Sequence, residues 1–282
     1  GYTIVNYIDL FTSNVAKTNL WTPLWNTVLL SVGTCFVAVL YGGLFAFLVT
    51  RSNLAWKKYL SSIFIFPYIM PQWTLAVVWQ NVFNSKAVTG TSNGLLAATL
   101  GVQMPMWWCK GLFPSVIVLG LHYSAFAYIL VGGIFRNMDA NLEEAATILD
   151  TPKWKTMFRV TLPMVKPAIL STILLVFSSA MGSYPVPHYL GLTTLSTKYV
   201  SLNSRYTGEA SILAIIMMIF GIVIMHSGST MDTFATIALQ RRDLLSPFSG
   251  FVSTANPFPS DPVPQVVGIR TRGSASSLRN RL

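Results

Sequence analysis

The stretch NLEEAATILDTPKWKTMFRVTLPMVKP, residues 141–167, is a polar segment in a chain that is otherwise mostly apolar. Asn141 is a favourable N-cap and Glu144 follows three residues later, a pattern that predicts a capping box at the start of a helix. Apolar side chains recur after the cap at helical spacing. The segment therefore predicts a short capped helix between two apolar regions.

A second short helix is expected in the same segment. Thr151 can cap it, and Pro152 occupies its first position, where a missing N–H group breaks no helical hydrogen bond. Pro163 disfavours helical geometry at Leu162, so we expect this second helix to end there. The two helices would form a hairpin. From the residues alone, a capped loop with no further role is an equal alternative.

Composition indicates the environment of this hairpin. Of the 282 residues, 52% are hydrophobic and 10% are charged, whereas soluble domains carry about 25% charged residues. Lipid is therefore the expected solvent. Cys35 and Cys109 match no metal-ligand spacing, and neither a metal nor a cofactor is expected. Because the chain begins with Gly and shows no signal peptide, we expect an N-terminal segment to be missing.

Apolar stretches long enough to cross a membrane as helices, about 20 residues each, occur along most of the chain. Pro67 and Pro71 predict a kink in the second of them. The expected fold is an all-α integral membrane bundle with about five transmembrane helices. The predicted spans are residues 26–50, 59–83, 113–135, 166–186 and 209–226.

The distribution of Lys and Arg predicts the orientation, because these residues are retained on the cytoplasmic side. Fourteen of them follow the first span, separate the third and fourth spans, or follow the fifth, and five lie on the other side. The hairpin and the C-terminus are thus predicted to be cytoplasmic, in a multi-pass protein of the cell membrane. The net charge of +10 then requires no nucleic-acid partner.

Composition also divides the chain into regions. Residues 1–25 are amphipathic and aromatic, and we expect them outside, at the membrane surface. Residues 26–228 form the transmembrane domain, with the hairpin loop at 136–165. Residues 229–282 are rich in Ser, Pro and Arg without an apolar period, so a disordered cytoplasmic tail is expected.

The stretch EEAATILDTPKWKTMFRVTLPMVKPAI resembles the EAA motif of ABC-importer permeases, the binding-protein-dependent transport family. The matching residues are Glu144, Ala145, Ala146, Val160, Leu162 and Pro163. The resemblance implies a type I importer permease bundle, in which the hairpin is a coupling helix that docks in a groove of the ATPase subunit. Asp150 stands where the family has Gly, so we expect the turn to be strained or differently shaped.

The resemblance also implies partners. They are a dimer of ABC ATPase subunits, a second permease copy or half, an extracellular or periplasmic solute-binding protein, and the lipid bilayer. The sequence contains no phosphate loop of the GxxxxGK[ST] type, so ATP hydrolysis is assigned to the separate subunit and no catalytic residue is expected here.

The translocation path is expected near His122 and the end of the fourth span. A His inside a span should face the bundle interior or water, and a satisfied interhelical hydrogen bond is the alternative. Two prolines break the helix beyond Ser179, Gly182 and Tyr184, and broken helices are tolerated where they line a cavity. A simple helix end is the alternative there. This stretch is similar to permeases for ferric iron, polyamines and phosphonates, and ferric iron is the first expectation.

Two other classes of protein fit parts of the sequence. A non-transport membrane scaffold or sensor could dock a soluble partner through residues 141–163. A secondary transporter would need intramembrane acids for ion coupling, and the first four predicted spans contain none. Glu209 lies only at the edge of the fifth.

The departure at Asp150 generates a prediction. If residue 150 has a positive φ, Asp150→Gly should leave coupling intact and raise the free energy of unfolding by about 1 kcal/mol, the cost of a non-Gly residue in the left-handed region. Unfolding of the purified chain in mixed micelles measures the change. A clear loss of stability would show that Asp150 instead caps the second helix.

Overall fold

The computed structural model describes residues 16–52, 56–137, 161–204 and 207–245, together with residues 11, 152 and 157. Every regular element within these ranges is helical. The helices are α1 (Thr22–Arg51), α2 (Lys57–Ile69), α3 (Gln72–Phe83), α4 (Lys86–Thr89), α5 (Leu95–Thr99), α6 (Met106–Cys109), α7 (Leu112–Asn137), α8 (Leu162–Gly182), α9 (Pro185–Tyr189), α10 (Leu195–Asn203) and α11 (Thr207–Leu245). A π-helical turn, Lys17–Trp21, leads directly into α1.

The closest helix packing joins α1 and α7, and it depends on glycine. A Cβ atom added at Gly42 would lie 2.2 Å from the backbone oxygen of Ser124 and 2.6 Å from the Cβ of Ala127. A Cβ atom at Gly120 would lie 2.6 Å from the Cβ of Val37. Small residues at such crossings let membrane helices approach until their backbones are in contact. In lipid no hydrophobic force drives the helices together, so van der Waals packing stabilises their association.

The register of these contacts shows that α1 and α7 are parallel. Gly33 lies against Val116, and Gly42 lies against Ser124, so residue numbers rise together along both helices. The segment between two parallel helices has to return across the bundle. The intervening α2 and α3 therefore form one crossing.

The returning crossing is broken. Its two parts, Tyr59–Ile69 and Gln72–Phe83, meet at an angle of 99°. Pro71 lies at the break, where the backbone at Met70 is extended, as expected for a residue before proline. The far end of α3 is fixed by the backbone oxygen of Phe83, which accepts a hydrogen bond from the Sγ of Cys109 at 3.3 Å. The pair therefore joins opposite ends of the bundle.

Helix α8 runs antiparallel to α1 and α7. Its first half packs Val165 and Ala168 into a core with Phe135, near the C-terminal ends of both partners. Its second half places Ala180 in a core with Leu30, towards the start of α1. Between these two cores, the Sγ of Cys35 donates a hydrogen bond to the backbone oxygen of Ile173 at 3.4 Å.

Helix α11 begins beside the start of α1. Asn19 Nδ2 donates a hydrogen bond to Glu209 Oε2 at 3.2 Å. Leu20 and Leu213 are buried in the same core cluster. The portion of α11 that is long and apolar enough to cross a membrane is Thr207–Ile224. With this helix the described chain makes five crossings, and the prediction of an all-α membrane bundle with about five spans is confirmed.

The element bounds differ from the prediction at both ends of the chain. The first candidate span begins at Lys17, so residues 17–25 belong to a spanning helix and not to a separate surface segment. The first fifteen residues lie outside the described ranges except Phe11. Helix α11 continues to Leu245, so the expected start of the tail at residue 229 falls inside a helix. Residues 246–282 lie outside the described part of the chain.

The fourth span also begins earlier than predicted. Helix α8 starts at Leu162, four residues before the predicted start, and Pro163 occupies its first turn. Thr161, which precedes it, already has helical dihedral angles of −66° and −50°. The expectation that Pro163 ends a helix at Leu162 is therefore wrong. Proline is accepted in the first turn because its missing N–H group would have no partner there.

The glycine contact generates a prediction with an internal control. Gly42→Ala should lower the free energy of unfolding by about 1–3 kcal/mol, because the added methyl group overpacks the backbone of α7. Gly43→Ala adds the same group one residue later, where no atom lies within 4 Å, and should be neutral or stabilising. Thermal unfolding in detergent measures both. Equal effects of the two substitutions would contradict the close packing.

Candidate functional site

The break in the second crossing leaves one backbone carbonyl without its helical hydrogen bond. Pro71 has no N–H group, so the carbonyl of Pro67 has no donor four residues later. His122 of α7 supplies the missing donor, with its Nδ1 atom 3.0 Å from the Pro67 oxygen. Since a carbonyl only accepts, the Nδ1 atom must carry the proton. His122 is buried and takes part in an interhelical hydrogen bond.

Gln72, the first residue after the break, connects three helices. Its Nε2 atom donates to the Tyr123 hydroxyl of α7 at 2.6 Å. Its Oε1 atom accepts from Ser183 Oγ, at the end of α8, at 2.9 Å. The Tyr123 hydroxyl in turn donates to the backbone oxygen of Ser179 at 3.4 Å. We call Gln72, Tyr123, Ser179 and Ser183 the Gln72 cluster.

The cluster continues into the connection between α8 and α10. Ser196 Oγ donates to the backbone oxygen of Ser183 at 2.8 Å. Thr194 caps α10 by accepting from the Thr197 amide within a capping box. Polar groups at membrane depth are expensive unless paired, and non-helical backbone is tolerated where it is enclosed by protein or lines a cavity. The break in the second crossing and the end of α8 thus form one connected polar region.

The predicted path residues occupy different parts of this region. Ser179 is half-buried, and its Oγ atom donates to the backbone oxygen of Leu175 at 2.8 Å. Gly182 is exposed, with open space where a side chain would be. Tyr184 precedes α9, and its ring stacks on His188 at a centroid distance of 5.0 Å. The structure joins Ser179 to the Gln72 cluster and leaves Gly182 and Tyr184 on either side of Ser183.

The predicted site residues did not include the two side chains that organise the cluster. Gln72 is a polar residue that directly follows a proline in an apolar stretch, and Tyr123 adjoins a histidine within a span. Both signals were available in the sequence. The two hydrogen-bond partners of Gln72, however, lie 51 and 111 residues away from it in the sequence. Sequence spacing alone therefore does not connect Gln72 with these partners.

The predicted coupling residues fall largely outside the described ranges. Glu144, Ala145, Ala146 and Asp150 all lie in residues 138–151, which are not described. Leu162 and Pro163 are described as the first two residues of α8. The motif therefore leads directly into a transmembrane helix.

Within the described ranges, no group of three or more His, Cys, Asp or Glu side chains could hold a metal ion. Cys35 and Cys109 are both buried and unpaired. Their Sγ atoms donate to the backbone oxygens of Ile173 and Phe83, respectively. Both thiols thus serve as interhelical contacts.

Five helical crossings, with a broken second crossing and a polar region at the break, define a polytopic helical membrane protein. A model of the family described as "Binding-protein-dependent transport system inner membrane component" matches residues 38–231, more than half of the chain. The chain belongs to this family of ABC-importer permeases. The matched range includes residues 143–169, the stretch that resembles the EAA motif.

Relatives named for several different solutes match the chain. It is 28% identical over 166 residues to the molybdenum transport system permease protein ModB of Escherichia coli, covering 57% of this chain and 69% of ModB. It is 26% identical over 192 residues to the spermidine/putrescine permease PotB of Haemophilus influenzae, covering 67% and 63%. It is 24% identical over 212 residues to the putative ferric permease FbpB 1 of the same organism, covering 74% and 30%.

The lengths of these relatives differ from the length of this chain. The chain is 25% identical over 244 residues to the probable ABC transporter permease y4fN of Sinorhizobium fredii, with 82% of this chain but only 42% of y4fN covered. The chain thus spans less than half of y4fN and about a third of FbpB 1.

Solved structures show the same fold. A chain of a bacterial alginate ABC transporter, in complex with an alginate-bound periplasmic protein, superposes with a TM-score of 0.63 at 16% identity, covering 82% of this chain and 83% of its own. A chain of the MetNI methionine ABC transporter gives a TM-score of 0.55 at 15% identity, covering 78% and 97%. At these identities, the likeness concerns the fold alone.

The Gln72 cluster generates a prediction. Gln72→Leu and Tyr123→Phe should not be additive, because each removes one partner of the same hydrogen bond. The coupling energy in a double-mutant cycle should be about 0.6 kcal/mol, and no more than about 1.7, the range found for hydrogen bonds between membrane helices. Unfolding in mixed micelles measures all four proteins. Strict additivity would mean that the bond contributes nothing to the fold.

Proposed function

We propose that the chain is the transmembrane permease subunit of an ATP-driven importer. It forms a solute path together with a second permease copy or half, and it receives solute from an extracellular binding protein. A separate ATPase dimer supplies the energy. The family match over residues 38–231 is the observation that carries this proposal. The matched structures, which are ABC transporters and include one in complex with a periplasmic protein, support the kinds of partner.

The orientation is part of the proposal. Since α7 ends at Asn137 and α8 begins at Leu162, both at the end of the bundle that holds Phe135 and Val165, the EAA segment joins two helices at that end. Arg51, at the end of parallel α1, lies at the same end. The bias of basic residues supports a cytoplasmic position for this end, where the ATPase would bind.

The start of α8 supports coupling through the hairpin. Thr161 is already helical and Pro163 lies within the first turn, so no extended residue separates Thr161 from α8. Glu144 would bind the ATPase groove through its carboxylate, and Ala145 and Ala146 would allow close approach. A displacement of this segment would move α8 along its length, since packed helices move as rigid elements.

The solute path is proposed to run past the exposed end of α8. Ser179 and Gly182 lie on its less buried face, and Tyr184 follows the helix end. His122 is assigned to the support of the break, because its Nδ1–H group donates to the Pro67 oxygen. The binding protein would select the solute before it reaches these residues.

The solute is proposed to be a small ion or polar molecule, with ferric iron to be tested first. Relatives named for molybdenum, polyamine and ferric transport support this class without choosing among its members. Binding and uptake with the cognate binding protein, measured against ferric iron, polyamines, phosphonates and molybdate, identify the member.

The coupling proposal predicts the effect of Glu144→Lys. ATP-dependent uptake in proteoliposomes should fall about tenfold or more, because reversing a charge at a docked contact costs well over the 1.4 kcal/mol that a factor of ten represents. Membrane insertion should be unchanged. Glu143→Lys makes the same charge change at the neighbouring position, outside the matched motif, and should reduce uptake less.

Glu144→Gln separates the two roles of this side chain. Gln retains capping but removes the charge. Loss of uptake with Gln as well as Lys assigns the effect to the charge. Normal uptake and normal ATPase co-purification with Glu144→Lys would refute the assignment of this hairpin as the coupling segment.

A further inference from the structure

An apolar groove lies in the angle of the broken crossing, between α1, α2, α3 and α7. It encloses a cavity of about 490 Å³ whose lining is almost entirely aliphatic or aromatic. The hydroxyl of Ser124 in this lining already donates to the backbone oxygen of Leu121 at 2.7 Å. Trp79, also in the lining, donates its Nε1 proton to the backbone oxygen of Trp108 at 3.1 Å. The groove therefore suits hydrocarbon and not a hydrophilic solute.

A second cavity, of about 290 Å³, lies at the basic end of the bundle. Its lining includes Lys57 at the start of α2 and Arg136 near the end of α7, both exposed. Within the described ranges, neither of these two cations forms an ion pair. The Nη2 atom of Arg136 donates to the Tyr128 hydroxyl at 3.4 Å, and the guanidinium carries further N–H donors that suit a phosphate.

The two cavities adjoin along α2. Leu60 and Phe64 line the larger one, and Lys57 and Ser61 line the smaller one, about one turn towards the start of the same helix. Tyr128 stands between them. Its ring lies 5.3 Å from that of Phe64, and its hydroxyl is hydrogen-bonded to Ser61. An apolar groove thus ends at a pair of cations.

We propose that this composite groove binds an anionic phospholipid. The acyl chain would occupy the larger cavity, and the phosphate would bind Lys57 and Arg136. Apolar surface favours hydrocarbon over water in proportion to the area covered. Basic pockets between membrane helices are the usual sites for anionic lipid head groups. A second copy of the chain fits the cation pair less well, since Arg51, a further charged residue described at this end, is also basic.

Lipid titration of the full chain in detergent, read by native mass spectrometry, tests the proposal. Phosphatidylglycerol should bind with higher affinity than zwitterionic phosphatidylcholine. Removing both charges in Lys57→Gln/Arg136→Gln should weaken phosphatidylglycerol binding about thirtyfold. Lys17→Gln/Lys86→Gln removes two exposed charges from the opposite end and should leave binding unchanged.

A second variant tests the acyl-chain cavity. Val78 lines it and is 49% exposed, so Val78→Phe fills the groove with little risk to folding. It should weaken phosphatidylglycerol binding about tenfold, the effect of excluding about two methylene groups. The control is Val223→Phe on α11, at a site that is 57% exposed and outside the groove.

The remaining outcomes are decisive against the proposal. If soluble glycerol phosphate or inorganic phosphate competes as well as the lipid, and Val78→Phe has no effect, the ligand is a free phosphate compound. If Val78→Phe reduces self-association while lipid binding persists, the groove is an interface between copies. If the double charge variant binds phosphatidylglycerol like the unmodified chain, there is no head-group site.

Discussion

Contact between Gly42 and the backbone of Ser124 is the constraint on which the rest of the bundle depends. Because Gly42 has no side chain, α1 and α7 approach until their backbones are in contact. The register of their contacts shows that the two helices are parallel. Parallel neighbours require a returning crossing between them, which the chain provides with α2 and α3. The same contact brings Arg51 and Arg136 to one end, where α8 begins. The topology therefore follows from one close contact and the length of the connecting segment.

The break in the returning crossing shows how the bundle accommodates missing backbone hydrogen bonds. Proline at position 71 removes the donor for the Pro67 carbonyl, and His122 replaces it from a neighbouring helix. Gln72 then fixes the next helix through Tyr123 and Ser183. In lipid, where water cannot compensate, such side chains are required by the break. They hold the angle of 99° through side-chain contacts and not through backbone hydrogen bonds.

The sequence predicted those features that depend on local composition. The lengths of the apolar stretches predicted the five crossings, and the two prolines predicted a kink in the second. The observed bend of 99° at residues 70–71 exceeds what a proline alone predicts. The start of α8 was misplaced because Pro163 is compatible with either the end or the first turn of a helix. The boundary at residue 229 failed because composition changes there before helical structure ends. The Gln72 cluster needs tertiary contacts across 51 to 111 residues, which no local pattern contains.

The bundle has two parts that differ in how readily their helix geometry can change. One part is held by close backbone packing, and the other is held by side-chain hydrogen bonds. Backbone-level packing between α1 and α7 admits almost no sliding, since any lateral shift brings Cβ atoms into the space left by Gly42 and Gly120. The angle between α2 and α3 rests instead on a few hydrogen bonds, each of modest energy. Helix α8 touches both parts: it packs Val165 beside Phe135 at its start and meets Gln72 at its end. A displacement of α8 would therefore meet the least resistance at the broken crossing, whose angle rests on the weaker of the two kinds of contact.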